Sequence, residues 1–192
     1  MSFITESQLK NQGMSIKTFT SLNESLRNFK NESSLFKTKI FLSHKHDERD
    51  YLEGAISLLK TYGVDVYVDW LDEGMPKTTS GDTAVRIKQK ISESHKFIFL
   101  GTDGAINSKW CNWELGLGDA ARYIDHIALL PVKKDYTDFA GSEYLEIYPY
   151  IFNIDNYQYF KGNYRSQGTY VVYPSVKGND KVVPISEWLR SR

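Results

Sequence analysis

Cysteine is almost missing from this chain: Cys111 is the only one among 192 residues. No disulfide can form within the chain, and a lone thiol in an ordinary domain suits a reducing cytoplasm. An excess of one charge is missing too, because 24 Lys and Arg offset 24 Asp and Glu. A neutral chain lacks the basic surplus that non-specific nucleic-acid binding draws on, so no nucleic-acid partner is expected. Long apolar runs are absent: Ile127 to Val132 is among the longest, far below the ~20 residues of a membrane span. Residues 1–36 are polar and hold no apolar core of a secretory signal. Neither an internal repeat nor a low-complexity tract is present. What remains is ordinary globular composition, 41% apolar and 25% charged. The expectation is a soluble cytoplasmic protein with no membrane partner.

The length fits one domain with an elaboration. Residues 1–37 are rich in Ser, Asn and Lys and read as a peripheral N-terminal extension, partly helical, with Ser21 and Glu24 in a capping-box pattern. From residue 38 to 192 the chain reads as one α/β domain. Ile40 to Ser43 is a short buried strand. Asp47 to Tyr62 is a helix with Leu52, Ala55, Ile56 and Leu59 on one face. Val64 to Trp70 is a second strand, and Leu71 to Gly81 a Gly/Pro-bearing loop. Asp82 to Ser94 is a helix, Lys96 to Leu100 a third strand, and Gly101 to Asn107 a loop. Ser108 caps a helix with Trp110, Trp113, Leu117 and Ala121 as its apolar stripe. His126 to Val132 is a fourth strand. Strands alternating with helices predict βαβ units and a parallel sheet. Residues 136–173 are crowded with aromatics, as for packing across a sheet edge; Thr169 to Tyr173 is a candidate fifth strand, and Pro184 to Leu189 a last helix.

In such a sheet, ligands sit beyond the carboxyl ends of the strands. Ser43, His44, Lys45 and His46 follow the first strand, Asp69 and Trp70 the second, and Glu114 lies in the helix after the third. Glu114 has Trp110 four residues before it and Leu117 three after, so it borders apolar surface that would raise its pKa, as in many working carboxylates. Gly116 and Gly118 weaken that helix, which predicts close approach by a ligand or another backbone. Other patterns carry less. The letters Gly116-x-Gly118-x-x-Ala121 fall inside a helix, where no dinucleotide fingerprint belongs. No metal-ligand set completes His44 and His46. Ser43 and His44 point to opposite strand faces, and no nucleophile elbow exists. Cys111 reads as a small buried residue.

Together the segments resemble a TIR domain (Toll/interleukin-1 receptor), especially the bacterial and plant branches, from about Lys39 to Pro131. Ile40-Phe41-Leu42-Ser43-His44 is similar to the family's first box. Val66-Tyr67-Val68-Asp69 with the following loop resembles its second strand and BB loop. Ser108-Lys-Trp110-Cys111-Asn-Trp-Glu114-Leu115 is similar to the signature S-x-W-C-x-x-E-L, whose glutamate is catalytic in NAD-cleaving members. The extension and the Tyr-rich region lie outside the common core, and their form is similar to the TIR-like subunit of Thoeris antiphage systems. The resemblance implies a flavodoxin-like three-layer fold, with a five-stranded parallel sheet in order 2-1-3-4-5. It also implies NAD as substrate with no cofactor or metal, and Glu114 as the catalytic residue; substrate contacts are expected from Ser43, His44, Lys45, Asp69, Trp70, Lys77 and Trp110, which lie near the strand ends and Glu114. The implied product is a cyclic ADP-ribose-type signal for a partner effector, with TIR–TIR self-association; assembly through the loop from Leu71 to Gly81 belongs to the non-catalytic reading. The competing readings are a non-catalytic TIR interaction module and a nucleoside or deoxyribosyl transferase on a similar sheet.

Overall fold

The computed structural model describes residues 2–14, 37–72, 74–75, 80–121, 124–139, 141–175 and 177–191. Its strands are β1 (Ile4–Thr5), β2 (Lys39–Ser43), β3 (Asp65–Tyr67), β4 (Lys96–Gly101), β5 (Ile127–Lys133), β6 (Tyr150–Ile154), β7 (Gln158–Phe160), β8 (Asn163–Arg165), β9 (Gly168–Tyr173) and β10 (Lys181–Pro184). The helices are α1 (Glu6–Met14), α2 (Arg49–Lys60), α3 (Gly81–Glu93), α4 (Asp103–Ile106), α5 (Lys109–Ala121) and α6 (Ile185–Arg190). The main sheet runs β3-β2-β4-β5-β6-β9-β10, with β1 joining β5 from the side. From β3 to β6 neighbours are parallel, while β9 and β10 are antiparallel.

This is the expected α/β architecture, and the sheet continues past five strands. Thr169 to Tyr173 forms a strand, β9, but it pairs antiparallel with β6, and β6 itself is the fifth parallel strand. Side-chain alternation then separates two cores. Ile40, Leu42, Ile98, Leu100 and Leu130 face one way, toward Leu52, Ala55, Ile56 and Leu59 of α2. Phe41, Phe97, Phe99 and Leu129 face the other way, toward α3 and α5. Phe41 stacks between Tyr67 and Phe97, with centroids 5.6 and 5.5 Å away.

Three expectations need correction. Residues 2–14 are not peripheral: Leu9 is fully buried and Ile4 nearly so. β1 pairs with β5 at Ile4↔Val132 and Thr5↔Lys133. Helix α1 crosses α2 at Gly54, where a β-carbon would collide with the Leu9 carbonyl. The second strand is shorter than expected, giving way to a single helical turn at Asp69–Leu71, and the loop after β4 contains α4, capped by Thr102 Oγ1 accepting from Ala105 N at 3.0 Å. The third concerns α5. Its buried face is Cys111, Glu114, Leu115 and Gly118, whereas Trp113 and Ala121 of the expected stripe are exposed. A β-carbon at Gly118 would stand 2.9 Å from the Phe97 ring, so the glycine lets the helix lie close on the sheet. Hydrophobic periodicity misassigned the face because a thiol, a carboxyl and a glycine occupy it. The helix expected around Ser21 to Phe29 lies outside the described residues.

Candidate active site

The end of β2 delivers Ser43 under α5. Ser43 Oγ donates to Glu114 Oε2 at 2.6 Å, and both residues are buried. Desolvation raises the Glu114 carboxyl from 4.5 to about 8, with the Asp69 charge adding to it. Ser43, His46 and the Trp110 indole pull the other way. Glu114 therefore lies inside the buried face and does not merely border it. Because the Ser43 hydroxyl is committed to Glu114, it is not poised as a nucleophile for His44.

The single turn at Asp69–Leu71 turns the buried Asp69 carboxylate toward the chain leaving β2. His46 Nε2 lies 3.0 Å from Asp69 Oδ2, and His44 Nε2 lies 3.5 Å from Asp69 Oδ1, outside hydrogen-bond geometry. Burial pushes the His44 pKa below 6.5, so the ring is neutral and its Nδ1–H donates to the Leu42 carbonyl at 3.0 Å. The two imidazoles stack with centroids 5.6 Å apart. Cys111 Sγ donates to the His44 carbonyl at 3.3 Å, and burial pushes the thiol up to about 11. It is a packing thiol and an unreactive one.

The structure thus gathers Ser43, His44, Asp69, Trp110 and Glu114. Lys45 does not join them directly, since its ammonium pairs with Asp47 at 3.1 Å on the surface. Lys77 and the Trp70 side chain lie outside the described residues. Sequence reasoning passed over His46 because no metal set completed it; its spacing from His44 was the available signal. Trp110 is half-buried and packs against Trp113, with centroids 4.9 Å apart, leaving an aromatic surface beside the carboxyl. Among the described residues no group of three or more His, Cys, Asp or Glu could hold a metal ion. A cavity of about 740 Å³ lies elsewhere, lined by Phe3, Pro131, Phe139, Tyr150, Lys161 and Asp180 among others.

Beyond Asp69 the chain is fastened by Asp72. Its carboxylate takes a bidentate pair from Arg86, Nε to Oδ2 at 3.1 Å and Nη2 to Oδ1 at 3.2 Å, together with the Tyr67 hydroxyl at 3.0 Å and the Gly74 amide at 3.0 Å. These donors hold its pKa down at about 2 despite the opposing pull of burial. The stabilisation is present above pH 3.8 and is lost as pH falls through about 2. Asp72→Asn is expected to cost roughly 3 kcal/mol, by leaving Arg86 without its charge partner. Urea unfolding at pH 7 and pH 2.5 checks this, because the difference between the two proteins should shrink at the lower pH.

The family model for the TIR domain matches residues 40–161, well over half of the chain. The protein belongs to the TIR family. That match leaves β1, α1, β8, β9, β10 and α6 of this TIR protein outside it. One relative, from Bacillus cereus (strain MSX-D12), bears the name "Probable 3' cyclic ADP-D-ribose synthase ThsB'" and is 32% identical over 116 residues. A second, from Cytobacillus dafuensis, is provisionally named as the cyclic ADP-D-ribose synthase TIR2 and is 25% identical over 79 residues. The aligned parts cover 58% and 40% of this chain, and 59% and 21% of those two proteins. Among the described residues no helix is long and apolar enough to cross a membrane.

Proposed function

We propose that this TIR protein cleaves NAD between nicotinamide and ribose, with Glu114 catalytic, and closes the remainder into a cyclic ADP-ribose-type product. The observation that carries the reading is the buried Glu114 carboxyl, held by Ser43 at 2.6 Å and hydrogen-bonded by the Trp110 indole beside it. The names of the two relatives support the product class.

Nicotinamide leaves as a neutral base, so bond breaking needs no acid. What needs help is the oxocarbenium-like ribose, on which positive charge grows. In its ionised form the pre-oriented Glu114 carboxylate stabilises that charge strongly, since no solvent has to reorganise, and cleavage rises with pH toward about 8. Ser43 keeps Glu114 in one rotamer. The indoles of Trp110 and Trp70 supply flat surfaces for a ring, while Ser43, His44 and Lys77 bind ribose or phosphate, and Asp69 orients His46. Folding the dinucleotide so that its adenosine half reaches the anomeric carbon makes ring closure intramolecular and favours it over water. NAD is substrate here, and the chemistry calls for no cofactor. The cyclic product serves as the signal to a partner effector in antiphage defence, and TIR–TIR assembly completes the site.

The test is nicotinamide release and product mass in cells expressing the full chain, with and without phage challenge. Nicotinamide with a product of cyclic ADP-ribose mass is expected. Linear ADP-ribose alone would make the protein a hydrolase. Intact signalling without NAD loss would leave only the interaction module.

A further inference from the structure

His46 stands where the site opens: its side chain is 58% exposed, while the Asp69 carboxylate that holds it is 5% exposed. Its Nε2 faces Asp69 Oδ2 at 3.0 Å, so that nitrogen carries the proton and donates it. The other nitrogen, Nδ1, then presents a lone pair and has no hydrogen-bond partner among the described residues. The ring plane is fixed further by stacking on His44, itself anchored to the Leu42 carbonyl. An imidazole oriented by a buried carboxylate, with its second nitrogen open, is the arrangement of a general base.

The proposed reaction leaves one proton in need of an acceptor. As the bond from the ribose anomeric carbon to nicotinamide breaks, its electron pair departs with the neutral base. When the attacking group is a hydroxyl of the adenosine ribose, its oxygen bonds the anomeric carbon and its hydrogen must leave. Glu114 is poorly suited to take it, because its negative charge is the group set against the growing cation. We propose that His46 accepts this proton at Nδ1, and that Asp69 stabilises the imidazolium formed. The proton then passes to solvent from the exposed ring, so one hydrogen ion appears for each ring closed.

The groups facing His46 are Asp69 beyond β3, Glu114 on α5, and Asp47 and His44 on its own segment. The hydrogen bond to Asp69 leads in raising its pKa above 6.5, with the charges of Asp69, Glu114 and Asp47 adding to it. Only the neutral ring accepts a proton, so the cyclic share of product should climb as pH rises through a midpoint above 6.5. Glu114 enters that share only through its charge on His46, whereas its own ionisation governs the earlier cleavage common to every product.

The inference rests on the NAD reading, and one experiment separates the two. Wild type and His46→Gln full chains are compared in lysate of challenged cells supplied with NAD from pH 5.5 to 8.5. Nicotinamide, cyclic product and linear ADP-ribose are quantified together. A positioned base contributes on the order of 10²–10⁴-fold. In His46→Gln the cyclic share is expected to fall at least ~10-fold and lose its pH dependence, a loss larger than any change in nicotinamide release. An unchanged cyclic share overturns the role of His46 alone. Equal loss of release and ring closure also overturns it, as the mark of a binding or structural residue. Absence of nicotinamide release from the wild type overturns the NAD reading and the inference with it.

Discussion

Glu114→Gln should lose activity and gain stability in the same molecule. The amide keeps the shape of the side chain and can still accept the Ser43 hydrogen bond, but it carries no charge to set against the ribosyl cation. Loss of one pre-organised electrostatic group of this kind lowers turnover by roughly 10²–10³-fold, which is the expected fall in nicotinamide release. The stability gain comes from the same burial. A carboxyl raised from 4.5 to about 8 holds a proton in the folded chain that the unfolded chain has already lost. Between those two values the wild type therefore weakens as pH rises, by on the order of 5 kcal/mol in all. Below pH 4.5 both states are protonated and the penalty is absent; above about 8 it is complete. The glutamine has no such slope. Urea midpoints from pH 5 to pH 9 should draw apart in favour of Glu114→Gln, and parallel curves would show that the carboxyl ionises without cost.

The second large effect concerns the crossing of α1 and α2. Gly54→Ala places a methyl group against the Leu9 carbonyl, which belongs to backbone and cannot rotate away. A cost of about 3 kcal/mol is expected, the upper end for overpacking, with α1 lifted from its seat. Gly116→Ala provides the internal comparison, since a β-carbon there meets nothing within 4 Å. On that exposed helix face alanine should stabilise by up to ~1 kcal/mol. Chemical denaturation of both variants, with proteolysis near residues 2–14 as a local probe, distinguishes a lifted α1 from general loosening. Opposite signs for one and the same substitution would locate the tight crossing.

The sequence carried the repeating part of the fold clearly. Helix α2 shows Leu52, Ala55, Ile56 and Leu59 at helical spacing, and they are buried as expected. The strands β2, β4 and β5 are short apolar runs bounded by polar residues, and their ends fall within a residue or two. Helix α5 was legible as a helix but its face was not, because Cys111, Glu114 and Gly118 score as polar or neutral. The Tyr-rich region gave no period for a physical reason: two short strands and a hairpin share it, and some rings are buried while others are not. Tyr170 packs inside, whereas Tyr157, Tyr159 and Tyr164 stand exposed in mutual contact. Residues 2–14 gave no warning either, since α1 is mostly polar and meets the body through Leu9 and a glycine on another helix. At the site, Glu114, Ser43 and Asp69 could be named from their places after strands. The link from Asp69 to His46 could not, because it depends on the single turn that replaces the end of the second strand.

The pairing of β1 with β5 sets an order of events. Ile4 and Thr5 find their partners only at Val132 and Lys133, and Ser7 meets Asp135 across 128 residues of chain. Ser2 bridges to Asn153, further still. During synthesis α1 can meet α2 early, but the strand before it has nothing to pair with until β5 has emerged. Strand β1 is therefore among the last parts to be locked. Closure of such a distant contact is slow, and its arrival reports that β5 and β6 are already in place. In kinetic terms the first residues act as a clasp on a nearly finished sheet.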